Sequence, residues 1–342
     1  MTLSGAERAQ THPVWVTDPE RPSVSVVVCA YTTERWPEIV AAMTSVAAQE
    51  PAPQQIVLVS DHNPELAARA RAEFPGVLVV ENEMERGLSG ARNTGLAYSD
   101  ADVVAFLDDD ARALPGWLDM LTAAYCDPGV IGVGGAAIPI WSASEPRWFP
   151  AEFSWVIGCS WIGLPESAAG VRNLIGCNMS FRREVFADVG DFTVGMGRVG
   201  KVPVGCEETE LCIRIHQRRP DAVILYDPGV RVLHSMSADR RRWRYFRTRC
   251  YGEGLSKALV ADHVGSADGL ASERTYVARV LPRGVARGCA DAARGDLAGL
   301  GRAGAIVAGL AFVAAGYGRG RLTAASRRRR AHRGISAPGP VR

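Results

Sequence analysis

Residues 103–110 of this 342-residue chain read VVAFLDDD, an apolar run that ends in three aspartates. A run without polar alternation is typical of a strand buried on both faces of a parallel sheet. Three similar runs precede it, at residues 24–30 (VSVVVCA), 56–60 (IVLVS) and 77–81 (VLVVE). Helical patterns lie between the runs, at residues 36–48, at 64–73 and from about residue 89. This alternation predicts βαβ units and an open α/β sheet.

Polar side chains follow each of the four apolar runs. They are Tyr31 and Thr32, then residues 61–63, then Asn82 and Glu83, and finally Asp108, Asp109 and Asp110. The carboxyl ends of parallel strands meet at one edge of a sheet, where open α/β proteins bind their ligands. Three adjacent carboxylates repel one another unless a cation compensates them, and hard oxygen ligands favour Mg²⁺ or Mn²⁺. The triplet therefore predicts a metal and phosphate site, and the alternative is a solvated acidic turn.

A glycine-rich turn, GLSGARNTG at residues 87–95, comes before the third predicted helix. Such a turn can present backbone N–H groups and the positive helix terminus to an anion, with Arg92 as a further charged donor. The same pattern also occurs as an ordinary helix cap. It matches neither a Walker A sequence nor GxGxxG, which disfavours a P-loop or a dinucleotide-binding site.

The composition, 47% hydrophobic and 22% charged residues, is that of a globular protein and excludes a chain that is disordered throughout. The formal net charge of +2 combines −13 over residues 1–239 with +15 over residues 240–342. Eight cysteines without a CxxC pair argue against a disulfide framework and fit a reducing compartment. Residues 1–20 are polar, lack the apolar segment of a secretory signal and are expected to form a flexible tail.

Six segments between about residues 22 and 236 resemble, in order, the family 2 glycosyltransferases of the GT-A fold. They are SVVVCAYTTERW, IVLVSDHNP, GLSGARNTG, VVAFLDDDA, IGCNMSFRRE and CEETELCIR. The resemblance implies an α/β protein with a GT-A type open mixed sheet, whose Rossmann-like half at 21–128 binds the nucleotide sugar and whose half at 129–237 binds the acceptor. It also implies a hexosyltransferase-type enzyme that uses a nucleotide-diphosphate donor, commonly a UDP-sugar, and inverts the anomeric carbon.

The resemblance further assigns donor and metal residues by position. The donor-binding residues are Tyr31 and Asp61 at the base, with Arg92, Asn93 and Asp109 near the diphosphate. The metal ligands are Asp108 and Asp110, with His234 as an additional ligand of Mg²⁺ or Mn²⁺; the alternative for His234 is a structural role. Where many relatives have a DDGS-like sequence, this chain has SDHNP at residues 60–64.

An inverting displacement needs a general base for the acceptor hydroxyl, and a carboxylate is the usual choice. By resemblance Glu208 occupies that position and Glu207 is the next candidate, although acidic residues also favour the first turn of a helix for electrostatic reasons. Asn178 is expected on the acceptor side. Trp155 belongs to an aromatic stretch at 141–161 that either stacks on an acceptor or forms a satellite core.

The C-terminal region divides into a basic helical part at 238–324, with a linker near 266–269, and a basic tail at 325–342 that is expected to be disordered. Residues 303–317 form an uncharged run that is shorter than the roughly 20 residues of a spanning helix. We expect this region to bind an anionic membrane surface, with the enzyme cytoplasmic and peripheral on the inner face of the cell membrane. The alternative is a soluble helical hairpin, and no recognition motif supports nucleic-acid binding.

Association with a membrane would indicate a lipid-linked saccharide or polyprenyl-type acceptor, as in cell-envelope polysaccharide synthesis. A soluble cell-wall intermediate or a natural product is the alternative acceptor. Two other functions remain. One is a non-catalytic sugar-nucleotide-binding or scaffold protein of the same fold, which the intact Asp and Glu motifs disfavour. The other is a nucleotidyltransferase, which is disfavoured because YTTE at residues 31–34 replaces a glycine-rich, basic signature after the first strand.

Overall fold

The computed structural model describes residues 21–196, 205–265 and 274–335, with side chains up to Ala324. The tail expected at 1–20 and the linker expected near 266–269 lie outside these ranges. Within them, one sheet contains the strands β1 Val24–Ala30, β2 Gln55–Ser60, β3 Leu78–Glu81, β4 Val103–Asp108, β5 Ala111–Ala113, β6 Val130–Trp141, β7 Ala169–Gly170, β8 Asn178–Arg182 and β9 Val223–Met236.

The helices cover both faces of the sheet and then form a separate C-terminal layer. They are α1 Trp36–Ala47, α2 Pro64–Glu73, α3 Leu88–Ala97, α4 Trp117–Ala124, α5 Glu184–Val189, α6 Glu207–Arg218, α7 Trp243–His263, α8 Leu281–Ala293 and α9 Ala298–Ile335. Short 3₁₀ segments span Thr33–Arg35, Ala151–Ile157 and Ala238–Arg241, and a π-helical turn, Tyr276–Val280, leads into α8. The basic helix expected from about residue 238 therefore begins at Trp243.

The sheet has the order β3-β2-β1-β4-β8-β6-β9-β5, and β7 pairs with β9. The first four strands are parallel, with β1 between β2 and β4, and β8 runs antiparallel to β4. The expected open mixed sheet is confirmed, and its parallel half is built from the four apolar runs. In β1 and β4 and at the end of β2 the side chains are buried on both faces, which explains why these runs lack alternation, whereas Leu78 in the edge strand β3 is exposed.

Strand β9 extends well beyond its first apolar segment, Val223–Tyr226. It continues through Asp227-Pro228-Gly229, which has the composition of a turn, because the ladder with β6 accommodates these residues at an irregularity between Gly135 and Ala137. The two strands approach so closely there that a Cβ atom at Gly135 would lie 2.0 Å from the Val230 carbonyl oxygen. Because of this extension, the last residues of β9 pair with β5, the strand that directly follows the aspartate triplet.

The C-terminal layer is held by close helix contacts. A Cβ atom at Gly254 of α7 would lie 2.1 Å from the Val313 carbonyl oxygen of α9, and one at Gly316 would lie 2.1 Å from the Tyr251 carbonyl oxygen. The backbone of α9 stays helical to Ile335, whereas the sequence predicts disorder from residue 325. Alanine and arginine are strong helix formers, which explains the continuation. Residues 336–342 lie outside the described ranges.

Candidate active site

Strand pairing brings Asp110 and His234 together. His234 of β9 lies opposite Ala111 of β5, the residue after the triplet, and its Nε2 atom is 2.9 Å from Asp110 Oδ1. One ligand atom each from Asp108, Asp110 and His234 lies within 4.8 Å of the other two. Two carboxylates and an imidazole at this spacing form a donor set that suits Mn²⁺ or Mg²⁺, with oxygen ligands in the majority.

Two arginines that the sequence does not single out for this site balance the triplet. Arg35 donates to Asp109 at 3.0 Å and to Asp110 at 2.9 Å, and Arg240 donates to Asp110 at 3.0 Å. Arg35 follows β1, and Arg240 belongs to the 3₁₀ segment after β9. Both chain segments converge on the carboxyl edge of the sheet, so buried carboxylates are compensated by guanidinium groups from distant parts of the sequence.

The three carboxylates differ in environment. Asp108 is partly exposed, whereas Asp109 and Asp110 are buried. Burial raises the pKa of Asp109, and Arg35 offsets part of the effect. Burial acts on Asp110 in the same direction, but His234 and Arg240 hold the pKa of that carboxyl below its usual range. The structure therefore keeps Asp110 ionised, as a metal ligand requires.

The adjacent glutamates at the start of α6 have different partners. Glu207 is buried and its Oε1 atom accepts a hydrogen bond of 2.7 Å from Arg92 Nη1. Arg92 also donates to the Gly176 carbonyl at 2.9 Å and lies 3.4 Å from Asp108. The carboxylate of Glu207 is therefore paired within the protein.

Glu208 is half-buried and lines the cavity described below. Burial and the neighbouring Glu207 raise the pKa of Glu208 to about 8, and Arg92 partly offsets the effect. Glu210 points elsewhere and pairs with Arg214 at 2.7 Å. Glu207 also lines the cavity, but Glu208 is the more exposed of the two and has the raised pKa, which favours it as the candidate general base; the role stays a prediction.

The nucleoside-side candidates occupy the edge formed by β1 and β2. Tyr31 is 49% exposed, with the Arg35 guanidinium 5.0 Å from its ring centroid. Asp61 is buried and accepts hydrogen bonds from Asn82 Nδ2 at 2.7 Å and from the Gly87 N–H at 3.0 Å. Asp61 thus fixes the turn before α3, and a contact with the nucleoside base stays a prediction.

Two asparagines expected at substrate sites are buried and hydrogen-bonded within the fold, and their contacts with substrate stay predictions. Asn93 is buried and exchanges hydrogen bonds with the backbone of Phe192 at 2.8 and 2.9 Å. Asn178 is fully buried; its Oδ1 accepts from Trp117 Nε1, and its amide donates to the carbonyl of Val230. Both amides connect elements of the fold. Asn93 lies in α3 and Asn178 in β8, and the sequence does not show which residues of these elements point into the fold.

A cavity of about 730 Å³, here called the central cavity, lies beside Asp108, His234 and Glu208. Its catalytic half is lined by Arg92, Asp108, Glu208, His234 and Arg240. Trp155 also lines it, packs against Phe153 in a hydrophobic cluster and donates from Nε1 to the Tyr276 hydroxyl at 3.1 Å; its contact with an acceptor stays a prediction. A cavity of this size beside a cluster of potential metal ligands and a candidate base is typical of a small-molecule binding site.

Comparisons with known proteins agree with this geometry. The family model "Glycosyl transferase family 2" matches residues 25–190. A glucosyl-dolichyl phosphate glucuronosyltransferase of Haloferax volcanii is 37% identical over 241 residues, which are 69% of this chain and 77% of the relative. A pre-mycofactocin glycosyltransferase of Mycobacterium tuberculosis is 30% identical over 54% of this chain, which spans 37% of that relative.

Two solved structures share the fold at low identity. The mannosyltransferase PcManGT of Pyrobaculum calidifontis, in complex with GDP-Man and Mn²⁺, has a TM-score of 0.53 and 18% identity over 84% of this chain and 86% of its own. GalNAc-T7 with UDP, GalNAc and Mn²⁺ has a TM-score of 0.50 and 17% identity over 72% of this chain and 50% of its own. The fold is that of a GT-A enzyme. The chain belongs to the family 2 glycosyltransferases, as its motifs predicted, and it is a glycosyltransferase.

Proposed function

We propose that the enzyme transfers a sugar, with inversion, from a nucleoside-diphosphate donor to a hydroxyl of a lipid-linked saccharide. One observation carries the proposal. Asp108 and His234 of the cluster with Asp110 line the same cavity as the carboxylate of Glu208, so a donor diphosphate and an acceptor hydroxyl can bind side by side. The name of the Haloferax relative, which acts on glucosyl-dolichyl phosphate, supports the acceptor class.

In the proposed reaction, Glu208 accepts the proton of the acceptor hydroxyl while the hydroxyl oxygen attacks the anomeric carbon of the donor sugar. The bond from that carbon to the diphosphate oxygen breaks, and the nucleoside diphosphate leaves with the bonding electrons. Arg92 holds Glu207 in an ion pair beside the base. Asp108, Asp110 and His234 would hold Mn²⁺ or Mg²⁺, which when bound supplies positive charge to the leaving diphosphate.

For the donor, we propose a UDP-sugar, with Tyr31 and Asp61 on the nucleoside side and Asp109 and Arg92 near the diphosphate. The test is release of nucleoside diphosphate from a panel of UDP-, GDP- and dTDP-sugars, with and without Mn²⁺. The acceptor in this assay is a glucosyl farnesyl phosphate. Metal-dependent release with a UDP-sugar is expected. No release from any donor would contradict the proposed activity.

We further propose that the enzyme is peripheral on the cytoplasmic face of a membrane. Every exposed residue of α9 from Ala298 to Gly318 is Leu, Val, Ala or Gly. Leu300 is 57% exposed and Val307 is 60% exposed. The segment Ala298–Ala324, in which an 18-residue part has a mean hydropathy of 1.7, is by length and composition long enough to cross a membrane and is longer than the run predicted from sequence. Arg319 and Arg321 lie near the end of this segment and arginines 327–330 follow it, as in a helix that binds an anionic surface.

The packing of α9 favours an interfacial position over a membrane span. Its other face contacts α7 along several turns through Gly316 and Gly320, and Gly309 lies against Phe153. Arg302 near its start is paired with Asp291 and Asp296, both at 2.8 Å. A helix that packs on the catalytic domain over this length presents only one face to lipid.

A further inference from the structure

The central cavity extends beyond the catalytic carboxylates into a second half with a different lining. This half lies between the 3₁₀ segment Ala151–Ile157 and the C-terminal helices. Its wall contains the apolar and aromatic side chains of Tyr276, Val280, Leu281, Leu310, Val313 and Tyr317. The polar atoms of these six side chains are two tyrosine hydroxyls, and that of Tyr276 already donates to the Glu152 carbonyl, so the wall is better suited to a hydrocarbon chain than to a sugar ring.

A stripe of charged residues on α7 borders this second half. Arg249, Glu253 and Lys257 are spaced by four residues, so they share one helix face, and all three line the cavity. Lys257 Nζ is 3.2 Å from Glu253 Oε1. One carboxylate between two cations leaves the stripe with a positive net charge, which favours a phosphate group.

The apolar half reaches the surface beside the exposed face of α9. Ala314 lines the cavity and is exposed, and Val277 lines it at 38% exposure. Ala311 and Ala315 of the same helix are exposed but do not line the cavity. A chain that leaves the cavity at Ala314 therefore emerges next to the surface that we assign to the membrane.

We propose that α7, α9 and the π-helical turn form a binding site for a prenyl phosphate chain. The phosphate contacts Arg249 and Lys257, and the isoprenoid lies along Val280, Val313 and Ala314. This inference deepens the proposed function, since it rests on a lipid-linked acceptor whose sugar hydroxyl lies at Glu208. It assigns the C-terminal layer a direct role in acceptor binding in addition to membrane attachment.

The phosphate contact is tested by calorimetric titration of the full-length protein with farnesyl phosphate, farnesol and inorganic phosphate. Arg249→Met should raise the Kd for farnesyl phosphate about tenfold, since it removes a charge-assisted contact, and should leave the Kd for farnesol unchanged. The matched control is Arg247→Met, an exposed arginine on the same helix that does not line the cavity. Equal affinities for both variants and the unaltered protein would overturn the phosphate assignment.

The chain contact is tested with a pair of exposed alanines on α9, which tolerate a large side chain without disturbing the core. Ala314→Trp fills the cavity mouth and should weaken farnesyl phosphate binding at least about tenfold, while isopentenyl phosphate is affected less. Ala311→Trp is the control and should bind both ligands like the unaltered protein. Equal effects of the two substitutions, or no effect of either, would contradict the chain assignment.

These titrations separate the inference from the proposed function because they need no turnover. Farnesyl phosphate binding that responds to Arg249 and Ala314, without sugar transfer from any donor, would support the site and contradict the proposed reaction. Sugar transfer to glucosyl farnesyl phosphate, with a KM unaffected by either substitution, would support the reaction and overturn the site.

Discussion

Arg92 of α3 and Glu207 of α6 form a buried ion pair in which Nη1 and Oε1 are 2.7 Å apart. Both side chains are at most 5% exposed. The pair connects the donor-side helix to the helix that carries the candidate base, and it assigns different tasks to two adjacent glutamates. Glu207 balances a buried cation, and Glu208 remains available to the substrate.

The ion pair predicts a stability cost when one partner is removed. Glu207→Gln leaves the Arg92 charge without its main partner, and we expect a loss of about 3 kcal/mol in the free energy of unfolding. Chemical denaturation measures it. The double variant Arg92→Met with Glu207→Gln removes the unpaired charge and should regain part of the loss. A loss below about 1 kcal/mol for Glu207→Gln would mean that the pair is not an important structural contact.

Replacement of Glu208 should affect the reaction and spare the fold. Glu208→Gln keeps the size of the side chain and removes the proton acceptor, so kcat should fall by about 10²- to 10⁴-fold. The unfolding free energy should change little, because no buried partner loses its charge. Glu184→Gln, at an exposed glutamate in the first turn of α5, is the matched control and should retain full activity.

The raised pKa of Glu208 predicts a pH profile. A carboxyl with a pKa of about 8 is mostly protonated near neutral pH and ionises as the pH rises. Only the ionised form accepts a proton, so kcat/KM should rise by up to about tenfold per pH unit below pH 8 and level off above it. A profile that is flat between about pH 6 and pH 9 would argue against Glu208 as the base.

The donor set at the end of β4 predicts a metal requirement. Chelation should abolish transfer, and added Mn²⁺ or Mg²⁺ should restore it. Asp108→Asn removes a ligand charge at a partly exposed position, so the metal concentration for half-maximal activity should rise at least about tenfold. Asp100→Asn changes an exposed aspartate that precedes the same strand, and it should leave the metal dependence unaltered.

The exposed face of α9 predicts membrane binding without a span. Val307→Glu places a charge in that face and should weaken binding to anionic phospholipid vesicles about tenfold. Met84→Glu, at an exposed methionine in the loop after β3, is the control. Release of the enzyme from membranes by high salt or alkaline carbonate would support a peripheral position, whereas retention in the membrane fraction under both conditions would contradict it. Deletion of α9 is a poor test, since the helix also packs on α7.

Much of the parallel half of the sheet could be predicted because its strands are continuous apolar runs. The aspartate triplet and the glutamates at 207 and 208 could be located by motif. The partners of these groups could not, because Arg35 and Arg240 lie far from Asp110 along the chain and meet it only through the sheet order. The extension of β9 to His234 was also hidden, since Asp227-Pro228-Gly229 has turn composition.

The cavity wall formed by the C-terminal layer could not be predicted from the sequence for a related reason. The sequence indicates that residues 238–324 are helical and basic. It does not show that Arg249 and Lys257 of α7 and Val313 of α9 line the same cavity as Glu208. That relation depends on helix packing through Gly254 and Gly316, which sequence periodicity does not report.

The central claim is that the Asp108–Asp110–His234 cluster and Glu208 form one site for glycosyl transfer. Nucleoside diphosphate release from a UDP-sugar, with glucosyl farnesyl phosphate as acceptor and Mn²⁺ present, tests it most directly when the unaltered enzyme is compared with Glu208→Gln. We expect metal-dependent release by the unaltered enzyme and its loss in the variant, with both proteins folded. Release by folded Glu208→Gln at the unaltered rate would contradict the claim.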